Sequence, residues 1–252
     1  MIAKRLVGVV TVKDGWAVQS FGYSRYLPLG RPEVLVENLD RWGADEILLQ
    51  CIDRTRLGLG PDFALLERIA RQGVSTPMIY AGGIRSDQDA VDAVGAAADR
   101  IAVDALLRDD LDAVARASAR LGNQAMVAAL PMSRTGWLDY RTGISEKPGP
   151  ALIEALADGV LSEAMVIDPA HEGHPGAFDD ALLDIVPGEC PLIAFGGISE
   201  GEQVQALLSR PRVVAVGVGN FLAYREHAIQ ALKEAAEGAP TRPAAYHETR
   251  YA

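Results

Sequence analysis

The stretch PMIYAGGI at 77–84 returns as PLIAFGGI at 191–198, and this echo decides the fold. Each copy is a short apolar run that ends on a glycine pair, Gly82-Gly83 in the first and Gly196-Gly197 in the second. Working outward, IDRTRLG from Ile52 is matched by IDPAHEG from Ile167, and GPDFALL from Gly60 by GAFDDALL from Gly176. RIAVDALL (100–107) and VVAVGVGNFL (213–222) occupy matching places after the glycine pairs. Echoes in one order at a nearly constant offset mark an internal duplication.

The segments between fit that reading. Short β-branched runs predict strands at 5–12, 46–51, 78–81, 100–103, 125–130, 164–167, 192–195 and 213–216. Ala/Leu-rich amphipathic stretches at 32–43, 62–73, 86–97 and 109–122 predict helices. Gly43 and Gly73 suit left-handed C-terminal positions, and Ser86 suits an N-cap. A half-barrel of four βα units leaves open sheet edges, and fusing two halves closes them. The predicted fold is a single (β/α)8 TIM barrel over residues 1–238, made of two fused half-barrels, with a tail at 239–252 that is mobile or docks on a partner. An open doubly wound sheet is the runner-up.

Composition sets the remaining bounds. At 252 residues the chain has the length of one barrel. With 49% hydrophobic and 23% charged residues, its body is not disordered. A formal charge of −10 argues against a nucleic-acid or anionic-membrane surface. Two cysteines are too few for a disulfide scaffold. No apolar run spans a membrane, and the first residues lack a signal-peptide pattern. A cytoplasmic protein is expected, without metal or cofactor.

In such a barrel the chemistry sits at the C-terminal ends of the strands. Gly82-Gly83 and Gly196-Gly197 would let backbone N–H groups approach a phosphate closely, although such pairs also serve tight turns. After the next strand the second half offers Val218, Gly219 and Asn220, whereas the first offers Asp104, whose carboxylate repels an anion. The second-half site is therefore the stronger phosphate candidate.

MIAKRLVGVVTVKDG, GADEILLQCIDR, AGGI and FGGI resemble the cyclase subunit of imidazole glycerol phosphate synthase (HisF), over about residues 1–235. RYLPLGRPEVLVENLDRWGADE and RTGWLDYRTG look most like its diverged relatives in surface-sugar pathways. The resemblance implies a (β/α)8 barrel partnered by a HisH-like glutamine amidotransferase, whose ammonia enters at the barrel floor and reacts with a phosphorylated substrate at the top. It also implies an acid/base pair of aspartates ending strands one and five, where this chain reads Thr11 and Leu130. The family's lysine after strand one is Gln19 here, and the aspartate closing strand two is Cys51. A gate of alternating charges at the floor is matched by Arg5, Glu46, Arg100 and Glu163.

With the usual pair missing, Asp53 and Asp168 are the proton-transfer candidates, each equally suited to capping its loop. Asp14 sits in a turn-forming VKDG and is preserved from the family. His171 and His174, in HEGH, offer an acid/base group near neutrality or, more weakly, metal ligands. Cys51 suits a buried small hydrophobe better than a nucleophile. Trp16, Trp137, Arg25 and Arg31 are candidates for lining a pocket, and Trp42 for packing. Two functions follow. One is a synthase subunit using amidotransferase-derived ammonia on a phosphorylated or nucleotide-linked sugar. The other is a catalytically silent barrel that binds a phosphorylated ligand and regulates or scaffolds a partner. The related single-chain sugar isomerase needs the missing acids and fits less well.

Overall fold

The computed structural model describes residues 3–225, 227–236 and 238–243. Eight strands, β1 (Arg5–Lys13), β2 (Glu46–Cys51), β3 (Met78–Ala81), β4 (Arg100–Val103), β5 (Met126–Ser133), β6 (Glu163–Ile167), β7 (Leu192–Phe195) and β8 (Val213–Val218), pair in parallel in chain order. β8 then pairs with β1, with Arg5 opposite Ala215 and Gly8 opposite Val218, and closes the barrel. β2, β3, β4 and β7 span the expected residues; β5 and β8 run further toward the top than predicted.

The helices of the first half begin and end on local chemistry. The helix Pro32–Arg41 starts on proline, whose fixed φ suits the first helical position. Asp62 caps Phe63–Ala70, Ser86 caps Asp87–Ala96 and Asp110 caps Leu111–Leu121, each side chain accepting a backbone N–H two or three residues inside. Gly43 and Gly73 take the expected positive φ of 83° and 67°. The second half is more irregular: β6 is followed only by the 3-10 turn Asp180–Asp184.

Two features depart from the expected loops. β1 continues into an antiparallel hairpin, Trp16–Phe21 with Arg25–Gly30, and β5 into a second, Gly136–Asp139 with Ile144–Glu146. Asp14 and Gly15, both at positive φ, turn β1 back into Trp16–Phe21 as a two-residue connection requires, and residues 22–24 then turn that strand into Arg25–Gly30. The two hairpins follow the first strand of each half, so the duplication extends to the rim.

Pleating divides the apolar residues into two layers. Val7, Val9, Leu48, Ile79, Ala102, Val127, Ala129, Met165, Ile193 and Ala215 fill the barrel interior. Their sequence neighbours, such as Leu6, Val10, Ile47, Leu49, Ala128 and Leu130, face the helices. The ends of the chain brace the closure. Lys4 N–H donates to Pro240 O at 2.9 Å and Lys4 bridges Thr241, so the described start of the tail lies against the floor; residues 244–252 are outside the described residues. Deeper in, Lys233 of the helix Ala228–Ala235 donates to Asp45 at 2.7 Å, and the other oxygen of Asp45 accepts Leu6 N–H at 2.8 Å. Lys233→Ala would strand that carboxylate in the interior and is expected to cost about 3 kcal/mol in urea unfolding; Lys233→Met should cost a similar amount, since packing does not replace the charge.

Candidate functional site

At the floor, the residues that begin β1, β2, β4 and β6 meet in a ring. Arg5 Nη2 lies 2.6 Å from Glu163 Oε2, Arg100 Nη1 lies 3.0 Å from both Glu163 Oε2 and Glu46 Oε1, and Arg5 Nε lies 3.6 Å from Glu46 Oε2. Each arginine thus touches both glutamates. Glu46 is only 3% exposed, so its charge is held by these contacts rather than by water. Arg100 is fixed further by its bonds to Gln124 O and Ser162 Oγ, both 2.9 Å. Burial opposes the charge of Arg5, but the two carboxylates outweigh it and hold its pKa above the ordinary value. The four side chains singled out in the sequence are therefore one structural unit.

At the opposite end a cavity of about 430 Å³ opens over β1–β5. Gly82, Gly83, Asp53 and Asp104 line it, as the sequence suggested, together with Lys13, Tyr23, Tyr26, Gln50, Arg56 and Tyr140, which it did not single out. Gln50 Nε2 donates to Thr11 Oγ1 at 3.0 Å and to Tyr23 Oη at 3.3 Å, a neutral network where the family pattern expects a carboxylate. Burial raises the pKa of the Tyr23 hydroxyl, so it stays a hydrogen-bond donor. The two expected substitutions of the acid pair are corrected in part. Thr11 does face this site, but Leu130 points outward into the helical layer, and the cavity-facing residues of β5 are Ala129 and Pro131. In the same way Cys51 packs in the outer layer and Gln50 is the inward residue of β2. Neither correction supplies an acid at the end of β5.

The glycine pairs explain themselves by close approach. A Cβ on Gly82 would lie 2.4 Å from Cys51 O, and one on Gly196 would lie 2.5 Å from Asp168 O. A Cβ on Gly83 would lie 2.5 Å from Gly60 O, and one on Gly197 would lie 2.7 Å from His171 O. The equivalent glycine in each half meets the equivalent loop, so the duplication holds loop by loop although the individual contact residues differ.

The second-half site is small. Gly197, Ser199, Gly219, Asn220, Glu172 and His174 line a cavity of about 20 Å³, separate from the larger one. The β1 hairpin is tied to two of its lining residues. Asn220 accepts Ser20 N–H at 3.2 Å and donates to Ser20 O at 2.6 Å, so its side chain is committed to the hairpin rather than to a ligand. Buried Glu172 accepts Ser20 Oγ at 2.9 Å and Tyr23 N–H at 3.3 Å. Desolvation raises the pKa of Glu172 despite these donors.

The remaining acid/base candidates form two separate pairs, Asp14 with Asp53 and His171 with Asp168. Asp53 accepts Asp14 N–H at 2.7 Å and so pins the hairpin turn while its residue lines the large cavity; the Asp14 carboxylate itself is exposed and pairs with Lys13. Asp168 is buried and accepts His171 N–H (3.2 Å), Asp179 N–H (2.9 Å) and His171 Nδ1 (2.7 Å). It holds the loop together, and neither Asp168 nor His171 lines either cavity. The pKa of Cys51 is pushed up to about 12 by burial, which keeps it a thiol. Trp16 is exposed, Trp42 packs beside the core, and Arg25 and Arg31 are spent on Phe21 and Glu33. Trp137 is buried under Arg108, whose guanidinium carbon lies 3.4 Å from its ring centroid. Among the described residues no group of three or more His, Cys, Asp or Glu could hold a metal, and no helix is long and apolar enough to cross a membrane.

The family of histidine biosynthesis proteins matches residues 5–228. The chain belongs to that family. It is 26% identical over 244 residues to a putative imidazole glycerol phosphate synthase subunit hisF2 of Vibrio vulnificus, covering 92% of this chain and 88% of that one. Against the imidazole glycerol phosphate synthase subunit HisF of Natranaerobius thermophilus identity is 23%, covering 92% and 95%. Against that of Sulfolobus acidocaldarius it is 28%, covering 82% and 86%. The chain is thus a HisF-like member, related to these subunits over nearly its whole length.

Within this HisF-like barrel the most perturbed cavity acid is Asp104. Desolvation raises its pKa to about 7, against the opposing pull of Arg108. Asp139 raises it further, while Arg141 and Trp137 draw it down. A carboxyl whose folded pKa lies above its unfolded value near 4 makes the folded state hold the proton longer. Its stabilising contribution is complete below the unfolded pKa and is lost as pH rises toward 7. Asp104→Asn removes that dependence, so the melting temperature of the variant relative to wild type should climb between about pH 4 and pH 7 and level off above.

Proposed function

We propose that the protein is a synthase-type subunit that receives ammonia from a HisH-like glutamine amidotransferase and delivers it to a phosphorylated or nucleotide-linked sugar at the top of the barrel. The observation that carries this reading is the closed ring of Arg5, Glu46, Arg100 and Glu163 across the floor. Four charges are costly at the mouth of a low-dielectric barrel, and an apolar plug would serve stability as well. A ring of paired charges adds what a plug lacks: the pairs can part and re-form without exposing an apolar surface. The relatives named as subunits of imidazole glycerol phosphate synthase support a partner of the same kind.

At the upper rim Gly197 and Gly219 present main chain to the smaller cavity, which suits the phosphate of the substrate, whereas Gly196 and Val218 do not line it. Gly82 and Gly83 do so in the larger one, which accommodates the body of the sugar. Asp53 is the carboxylate nearest to a proton-transfer role there, with Tyr23 as a neutral donor. His171, oriented by Asp168, would act only if its loop turned inward.

A second reading draws on the neutral Thr11–Gln50–Tyr23 network. Without an acid on β1 or β5 the barrel binds its ligand and regulates the partner without turnover. One experiment separates them. The protein is mixed with a HisH-type amidotransferase from the same genome, and complex formation, glutamine hydrolysis and transfer of nitrogen to candidate sugars are measured. A stable complex with at least about tenfold stimulation of hydrolysis is expected, with nitrogen appearing in a sugar product. Stimulation without any product would favour the silent barrel, and neither complex nor stimulation would overturn both readings.

A further inference from the structure

The two halves of the rim differ at one position that strand register identifies. Ile79 pairs with Arg100 across β3 and β4, as Ile193 pairs with Ala215 across β7 and β8. Counting up both strands from that register brings Asp104 to the place of Gly219. Gly219 lines its small cavity with no side chain, whereas Asp104, a carboxyl-bearing residue, lines the large one together with Gly82 and Gly83.

Resting on the ligand-binding reading above, we propose that Asp104 bars an anion from the first-half subsite, so that the large cavity takes the neutral, hydroxyl-bearing end of a sugar whose single phosphate sits at Gly197 and Gly219. Asp104 is thereby the residue that distinguishes a singly from a doubly phosphorylated substrate.

The surroundings agree. Charged residues lining the large cavity are Lys13, Arg56, Asp53 and Asp104, two of each sign, so the charge of Asp104 cancels what would otherwise be a net positive lining. Arg108, a further cation acting on Asp104 from the following helical turn, lies over the ring of Trp137, and its Nε and Nη2 are shielded from solvent. It is therefore not presented to a ligand. Tyr23, Tyr26 and Tyr140 give the cavity aromatic walls, against which the carbon face of a sugar packs while carboxylates accept its hydroxyls.

The test uses inorganic phosphate as the probe, at pH 8 where Asp104 is ionised. Equilibrium dialysis counts bound phosphate, and crystals soaked in phosphate locate it, for the wild type, Asp104→Gly (the residue of the other half) and Asp104→Asn. The wild type is expected to hold phosphate at Gly197–Gly219 and none at Gly82–Gly83, and both variants to gain one ion at Gly82–Gly83. Phosphate at Gly82–Gly83 in the wild type would overturn the proposal, as would folded variants that gain none. Failure of the wild type to hold phosphate at Gly197–Gly219 would overturn the single-phosphate assignment. The amidotransferase experiment reads partner coupling alone, so its failure is distinguishable from each of these outcomes.

Discussion

Four charges of alternating sign at the barrel floor set the terms for everything above them. Each must find an opposite charge, because water reaches them poorly and an unpaired ion there costs several kcal/mol. The pairing is possible only if the first residues of β1, β2, β4 and β6 all point inward at one level. Once they do, pleating assigns every second residue above them to the axis. Val7, Val9 and Thr11 follow from Arg5; Leu48 and Gln50 follow from Glu46; Ala102 and Asp104 follow from Arg100; Met165 and Ile167 follow from Glu163. The floor thus decides which side chains form the roof.

That parity carries the chemical departures of the site. Thr11 and Gln50 come to the top together and bond each other and Tyr23, so the mouth of the barrel is polar but uncharged at this point. Asp104 comes up beside the glycine pair of the first half, where the second half has Gly219. The β1 hairpin adds a further asymmetry: Glu172 and Asn220 hold it against the second half, while its Gly22, Tyr23 and Tyr26 line the large cavity of the first and none of its residues lines the small one. Duplication gave the two halves the same glycine pairs and rim hairpins, and a few side chains gave their cavities different linings.

Much of this was legible in the sequence. β-branched runs bounded by turn residues located all eight strands, and the echo of AGGI in FGGI located both glycine pairs. The four floor residues were found by matching a pattern of charges, and they meet in space because all four begin strands. Matching failed where parity decided the outcome. Leu130 and Cys51 sit one residue away from the inward positions Ala129 or Pro131 and Gln50, and one residue in a strand is the difference between site and helical layer. Tyr23 was missed because the segment after β1 read as a loop. The Asp14-Gly15 pair between apolar runs was the available hairpin signal, and following it would have brought Tyr23 to the rim. The commitment of Asn220 and Glu172 to that hairpin depends on contacts about 150 to 200 residues apart, which no local pattern reveals.

The central claim is that the floor charges act as one closed circuit rather than as separate pairs. Arg5 and Arg100 do not pair with each other, yet both touch Glu46 and Glu163. A double-mutant cycle of Arg5→Met and Arg100→Met, read by urea unfolding, tests this directly. The circuit predicts that the double variant departs from the sum of the single costs by more than about 0.5 kcal/mol, the scatter found for independent sites. Costs that add within that margin would contradict it.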